Sequence, residues 1–185
     1  MFAFFASCNS NANNNNATDT KAEYKAPSDW PASFGLGRRA KSSEIEVLDT
    51  DVRPDGKGLP DGSGNASTGR KVYEIKCASC HGATGIEGPF ARLVAPMGDT
   101  TKAKTIGNYW PYSTTVFDYI KRTMPYNAPG SLNNNEVYSV TAYLLYANKI
   151  IDSAAEMNAR NLHKVVMPAQ QYFVTDDRHG GKDIR

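Results

Sequence analysis

The feature that most constrains this chain of 185 residues is the motif Cys77-Ala-Ser-Cys80-His81. Two cysteines three positions apart lie on the same side of a helical turn, so each thiol can form a thioether to one vinyl group of the same porphyrin. The histidine that follows directly can then present its imidazole to the iron. The motif therefore predicts one covalently bound haem c, attached through Cys77 and Cys80, with His81 as the first axial ligand.

Two other uses of a Cys-x-x-Cys pair fit the surrounding sequence less well. A thioredoxin-like redox pair would need a βαβ context, and nothing before Cys77 resembles a strand. A structural zinc site would need a second pair of ligands, whereas His163 and His179 are remote and there is no fourth cysteine. The haem interpretation is therefore favoured over both.

A haem of this kind also needs a sixth ligand, for which methionine and a second histidine are the common choices. The candidates are Met97, Met124, Met157 and Met167. Met97 follows His81 by only 16 residues, which leaves little chain to pass around the haem. Met124 precedes a proline on a loop between two predicted helices, so we expect it to be the ligand. Met167, which also precedes a proline, is its main competitor.

The composition fits one folded domain. Hydrophobic residues make up 40% of the chain and charged residues 22%, so most of it should fold, and its length suits a single core. The net charge of +2, from 21 basic and 19 acidic residues, argues against a nucleic-acid-binding protein. No apolar run approaches the length of a membrane-spanning helix.

The N-terminal residues predict export. Residues 1–8 resemble the remnant of a bacterial lipoprotein signal, in which Cys8 would carry the lipid, although an ordinary signal with a chance cysteine is the alternative. The Asn-rich residues 9–28 bury too little apolar surface to fold, so we expect a flexible linker. The expected location is the periplasmic side of a bacterial membrane.

The rest of the chain is predicted to be mainly helix and loop. Turn signals predict an irregular extension over residues 29–68, with one helical turn over residues 43–48 capped by Ser42 or Ser43. Residues 69–151 form the predicted core. In it, one helix leads from Gly69 into the motif, a second begins with Ser113 as its cap and stops before Pro125, and a third spans residues 134–150. The extension at residues 152–185 contains one short helical candidate, residues 154–162. No strand is predicted.

The predicted core resembles the monohaem class I cytochrome c fold, a mainly α fold around one covalent haem. The residues that carry this resemblance are Gly69, Tyr73, Cys77 to Gly82, Pro89, Met124-Pro125, Tyr143 and Tyr146. In that family the first and last helices cross at a small residue and an aromatic one, to which Gly69 and Tyr143 or Tyr146 correspond. A proline after the motif offers its carbonyl to the histidine ligand, which implies this role for Pro89 toward His81.

A narrower resemblance covers residues 44 to about 178. The similar stretches are residues 49–60, 105–112, 117–125, 127–132, 136–138 and 141–144. They are similar to the haem subunits that accompany periplasmic molybdenum sulfite or sulfur dehydrogenases, including the Sox sulfur-oxidation system. The resemblance implies that Trp110 or Tyr112 lies near a haem propionate, with plain core filling as the alternative. Arg122 is similarly either a propionate partner or a surface charge.

These observations predict an electron-transfer protein that does no substrate chemistry of its own. The resemblance implies a molybdenum dehydrogenase as electron donor and another cytochrome or a terminal oxidase as acceptor. A general periplasmic shuttle, or a subunit of a different dehydrogenase, is the first alternative. A haem with a weak or absent sixth ligand and enzymatic activity is the second, and a structural protein with a chance motif is the third.

Overall fold

The computed structural model describes residues 27–31, 34–95 and 103–174. The chain divides into two compact units, residues 1–40 and residues 41–185. The predictions for Cys8, for almost all of the linker, for Met97 and for His179 lie outside the described residues. In the first unit, the rings of Trp30 and Phe34 meet edge to face, with centroids 5.5 Å apart.

The second unit is mainly helical. Its elements are α1 (Ser42–Leu48), β1 (Ser63–Asn65), α2 (Ala66–Lys76), α3 (Ala78–His81), α4 (Ile106–Tyr109), α5 (Ser113–Thr123), α6 (Asn134–Ala147), β2 (Glu156–Asn158) and two 3-10 helices, Leu162–Lys164 and Pro168–Tyr172. None of the helices in the described ranges is long and apolar enough to cross a bilayer.

The largest helix contact is the crossing of α2 and α6. Gly69 lies at this crossing, and a Cβ atom on it would overlap the carbonyl oxygen of Ser139 and lie 2.9 Å from the Cβ of Tyr143. The rings of Tyr73 and Tyr143 pack beside it with centroids 5.0 Å apart. The predicted crossing at a small residue and an aromatic one is therefore present, and Tyr143 is the aromatic partner.

Helix α5 also packs against α6. The rings of Phe117 and Tyr138 lie 4.5 Å apart between the two helices, and Val116 and Ile120 are buried on the same face. The predicted cap of α5 is wrong. Tyr112 is the N-cap residue, whereas Ser113 is buried and its hydroxyl donates to the carbonyl of Leu162 at 2.6 Å.

The structure also contains a small antiparallel sheet that the sequence did not predict. Strands β1 and β2 pair with Gly64 opposite Met157. The predicted helix over residues 154–162 is therefore wrong, since this segment supplies β2 and a turn. Three-residue strands are too short to show an alternating pattern. Strand β1 lies directly on α6, because a Cβ atom on Gly64 would overlap the backbone of Ser139.

Residues 41–68 belong to the same compact unit as the predicted core. Helix α1 is present, but its N-cap is Lys41 rather than a serine. Helix α2 begins three residues before Gly69 and is capped by the side chain of Asn65, which accepts from the Thr68 amide at 2.9 Å. The predicted extension is thus only partly irregular.

Two hydrogen bonds join this extension to helices α5 and α6. The amide of Val52 donates to the Asp118 carboxylate on α5 at 3.0 Å, and the Tyr138 hydroxyl on α6 donates to the carbonyl of Pro60 at 2.8 Å. Helix α6 ends at Ala147, three residues earlier than predicted. The chain turns there, with Lys149 in the left-handed region at φ 63°.

Candidate functional site

The motif forms a tight turn at the end of α2. The amide of Cys77 caps α2 by donating to the Tyr73 carbonyl at 2.9 Å, and the amides of Cys80 and His81 both donate to the Cys77 carbonyl, at 3.1 and 3.0 Å. Gly82 ends the turn in the left-handed region at φ 83°, where a glycine is favoured. The backbone thus places both thiols and the imidazole on one short helical segment.

The two cysteines of the motif differ in exposure. Cys77 is partly buried and Cys80 is exposed. Burial raises the pKa of the Cys77 thiol to about 11, and the neighbouring Cys80 adds to this shift.

The His81 ring is oriented by a backbone carbonyl. Its Nδ1 lies 2.9 Å from the carbonyl oxygen of Ala91, and since a carbonyl only accepts, Nδ1 must carry the proton. This leaves the lone pair of Nε2 for a metal, as is usual for histidine ligands. The resemblance implied this role for the Pro89 carbonyl. That expectation is corrected here, because the carbonyl that meets the ring belongs to Ala91, two residues further along the loop.

The loop after the motif folds back tightly on it. A Cβ atom on Gly82 would lie 2.7 Å from the Gly88 amide nitrogen, and one on Gly88 would overlap the Cys80 carbonyl. The Phe90 amide donates to that same Cys80 carbonyl at 3.2 Å. From the other side, the buried Tyr73 hydroxyl donates to the Gly82 carbonyl at 2.8 Å. Small residues and backbone bonds therefore hold the loop against the motif.

The methionines differ in burial. Met167 and Met157 lie within the hydrophobic core and are 1% and 6% exposed. Met124 is the C-cap residue of α5 and is only partly buried. It packs against the edge of the core, as do Cys77 and Trp110. The assignment of Met124 as sixth ligand stays a prediction.

The other predicted site residues have partners within the protein. The ring of Trp110 packs edge to face on Tyr119 with centroids 5.5 Å apart, and Tyr112 pairs with Val166 in an isolated β-bridge. Arg122 forms a two-point ion pair with Asp118, in which Nε donates at 2.9 Å. This hydrogen bond raises the pKa of the Arg122 guanidinium. Their roles toward propionates stay predictions.

Two contributors to the site were missed at the sequence level. The Ala91 carbonyl is a backbone group, so no residue type indicated it. Asp118 could have been found, because its spacing of four residues from Arg122 on a predicted helix is typical of an ion pair.

The donor set fits a covalently attached porphyrin. It consists of two cysteines that form no disulfide and one imidazole whose Nδ1 is bonded to a carbonyl. Across residues 27–31, 34–95 and 103–174, no three His, Cys, Asp or Glu side chains converge as ligands of a bare metal ion. Cys77 and Cys80 would hold the haem and His81 would ligate its iron, which supplies one-electron redox chemistry when bound.

Known families, curated proteins and solved structures each include matches to this chain. The family described as cytochrome C oxidase, cbb3-type, subunit III matches residues 64–144. The thiosulfate dehydrogenase of Psychrobacter arcticus is 31% identical in an alignment of 100 residues, which covers 47% of this chain and 30% of that enzyme. The chain therefore spans less than a third of the length of this curated relative.

Among solved structures, one match is the crystal structure of the sulfane dehydrogenase SoxCD from Paracoccus pantotrophus. One of its chains is 40% identical and superposes with a TM-score of 0.68, covering 79% of this chain and 74% of that chain. This chain is a class I c-type cytochrome. The predicted fold of the cytochrome is thereby confirmed, as is its similarity to the cytochromes of sulfur dehydrogenases. It is an electron-carrier domain related to them.

Proposed function

We propose that this cytochrome accepts single electrons from a molybdenum-dependent sulfite or sulfur dehydrogenase and passes them to another cytochrome or a terminal oxidase. The match to a chain of SoxCD carries the proposal, because it extends over about three quarters of both chains at 40% identity. Two electrons released by oxidation at molybdenum would leave through this domain in two successive steps.

The site supports a carrier rather than a catalyst. His81 is oriented by the Ala91 carbonyl. Among the methionines that the structure describes, Met124 packs at the edge of the core, whereas Met157 and Met167 are buried within it. If His81 and Met124 both ligated the iron of a bound haem, no coordination position would remain open for a substrate. The role of the chain is then to set the reduction potential and to exclude water from the ligands.

A second candidate is a cytochrome domain that serves another dehydrogenase, or a general shuttle. The match to thiosulfate dehydrogenase over 100 residues favours it, because the electron donor would then be an enzyme that oxidises a different sulfur compound. This candidate keeps the same haem ligands and differs only in the electron donor.

The donor is tested on protein purified from its native membranes together with any companion subunit. The cytochrome is oxidised, sulfite or thiosulfate is added, and the visible haem spectrum is followed. We expect prompt reduction by sulfite and a companion that contains molybdenum on elemental analysis. The cytochrome separated from its companion is the control and should not respond. Reduction by ascorbate but by neither sulfur compound would refute the proposal, and reduction by thiosulfate alone would favour the second candidate.

We also propose that the protein works on the periplasmic side of the membrane and is tethered through a lipid on Cys8. The support is the apolar stretch before Cys8 and the resemblance to subunits of periplasmic enzymes. Cys8→Ala is expected to move the cytochrome from the membrane fraction to the soluble periplasmic fraction, measured by haem staining. A variant that stays in the membrane fraction would contradict the tether.

A further inference from the structure

A carboxylate that no part of the proposed function uses lies beside the haem-attachment motif. Glu87 accepts from the Thr84 amide at 3.0 Å, from the Thr84 hydroxyl at 2.5 Å and from the Ile86 amide at 3.2 Å. A Cβ atom on Gly82, the residue after His81, would lie 2.8 Å from the Glu87 carboxyl carbon. Although it is exposed, this carboxylate is held in one place.

Glu87 closes the loop that orients the His81 ring. Its bonds to Thr84 and Ile86 fix the first half of the loop, and the second half carries Phe90, which bonds the Cys80 carbonyl, and Ala91, which bonds the ring. Gly88, the next residue, is in direct backbone contact with the motif. The geometry of Ala91 therefore depends on the segment that Glu87 ties together.

Glu87 also brings a permanent negative charge. Its hydrogen bond from the Thr84 hydroxyl, more than its backbone bonds, lowers the pKa of the carboxyl to about 2. The same charge is among the causes that raise the pKa of the Tyr73 and Tyr143 phenols, behind burial of those side chains. A fixed negative charge stabilises the more positive, oxidised state of a nearby iron.

We propose that Glu87 is a positioning residue for the ligand His81 and that its ionised carboxylate favours the oxidised form of the iron. The proposal depends on haem attachment at this motif and is independent of the electron donor. Its failure would therefore leave the proposed donor unaffected.

The charge is tested with Glu87→Gln in the holoprotein, because glutamine keeps the shape and an acceptor oxygen but loses the charge. We expect the ferric-to-ferrous ratio at a fixed potential to fall at least about threefold. This corresponds to a rise of about 28 mV in the reduction potential, since a tenfold change corresponds to 59 mV for one electron. Glu44→Gln is the matched control. Glu44 also accepts from the amide three residues earlier, at 2.8 Å, but on α1. Equal shifts in the two variants would overturn the role of the charge.

The positioning role is tested with Glu87→Ala, which removes both the charge and the hydrogen bonds. Electron paramagnetic resonance of the ferric protein reports the orientation of the histidine plane. We expect Glu87→Ala to change this spectrum more than Glu87→Gln does, because only the alanine variant frees Thr84. A spectrum like that of the wild type would overturn the positioning role. If the alanine variant matures poorly, Thr84→Val, which removes the hydroxyl and keeps the charge, gives the same readout.

Discussion

Replacing Met124 with leucine is expected to abolish the thioether–iron absorption band of the oxidised cytochrome and to lower its reduction potential. Leucine has nearly the same volume, so packing at the end of α5 should change little, but it offers no sulfur to the iron. Since methionine ligation raises the potential of a c-type haem, the ferric-to-ferrous ratio at a fixed potential should rise by about tenfold or more. Optical spectra and a redox titration measure both effects.

Met167→Leu is the matched control, because it makes the same chemical change at the main competing position. Met167 is 1% exposed within the core, so we expect the band to persist and the free energy of unfolding to fall by less than about 1.5 kcal/mol. The reverse result, a band lost in Met167→Leu and kept in Met124→Leu, would exchange the roles of the two residues. A thioether band that persists in both variants would point to Met97 or Met157, and a wild type without the band would support the alternative of a weak or absent sixth ligand.

Replacing Gly69 with alanine is expected to lower the free energy of unfolding by about 1–2 kcal/mol. The new methyl group would overlap the Ser139 carbonyl oxygen and crowd the Cβ of Tyr143, so α2 and α6 must move apart, and overpacking of this kind typically costs 1–3 kcal/mol. The gain in helix propensity from glycine to alanine, about 1 kcal/mol, offsets only part of this cost. Urea unfolding of the holoprotein, followed by circular dichroism, gives the value.

Ser67→Ala, at an exposed position of the same helix, is the control and should change the free energy of unfolding by no more than about 0.5 kcal/mol. A Gly69→Ala variant as stable as the wild type would mean that the crossing tolerates a side chain. The close approach of the two helices would then not determine the architecture.

The sequence predicted the helical frame well because its signals are local and strong. The face of α6 repeats with helical spacing, and its first residue was predicted correctly. The end of α5 follows from Pro125, since the residue before a proline is disfavoured in a helix. The start of α2 was placed too late, because Asn65, its capping side chain, lies in a segment dominated by turn signals.

The parts that were not predicted depend on contacts between distant residues. Strand β1 pairs with β2 across about ninety residues, and each is too short to carry a pattern of its own. Serine is a common capping residue, but the Ser113 hydroxyl donates its hydrogen bond to the Leu162 carbonyl instead. In the site, the thiols and the imidazole could be predicted from the motif. The carbonyl that accepts the hydrogen bond from the imidazole could not be predicted, because any residue type can supply a main-chain oxygen.

That main-chain acceptor determines where the site is vulnerable to mutation. No replacement of the Ala91 side chain can delete its carbonyl oxygen, so single substitutions at position 91 leave the bond to His81 intact in principle. The bond can be lost only if the loop takes another path, and that path depends on Gly82, Glu87 and Gly88. Substitutions at these three positions, rather than at Ala91, are therefore expected to disturb the orientation of the His81 ring.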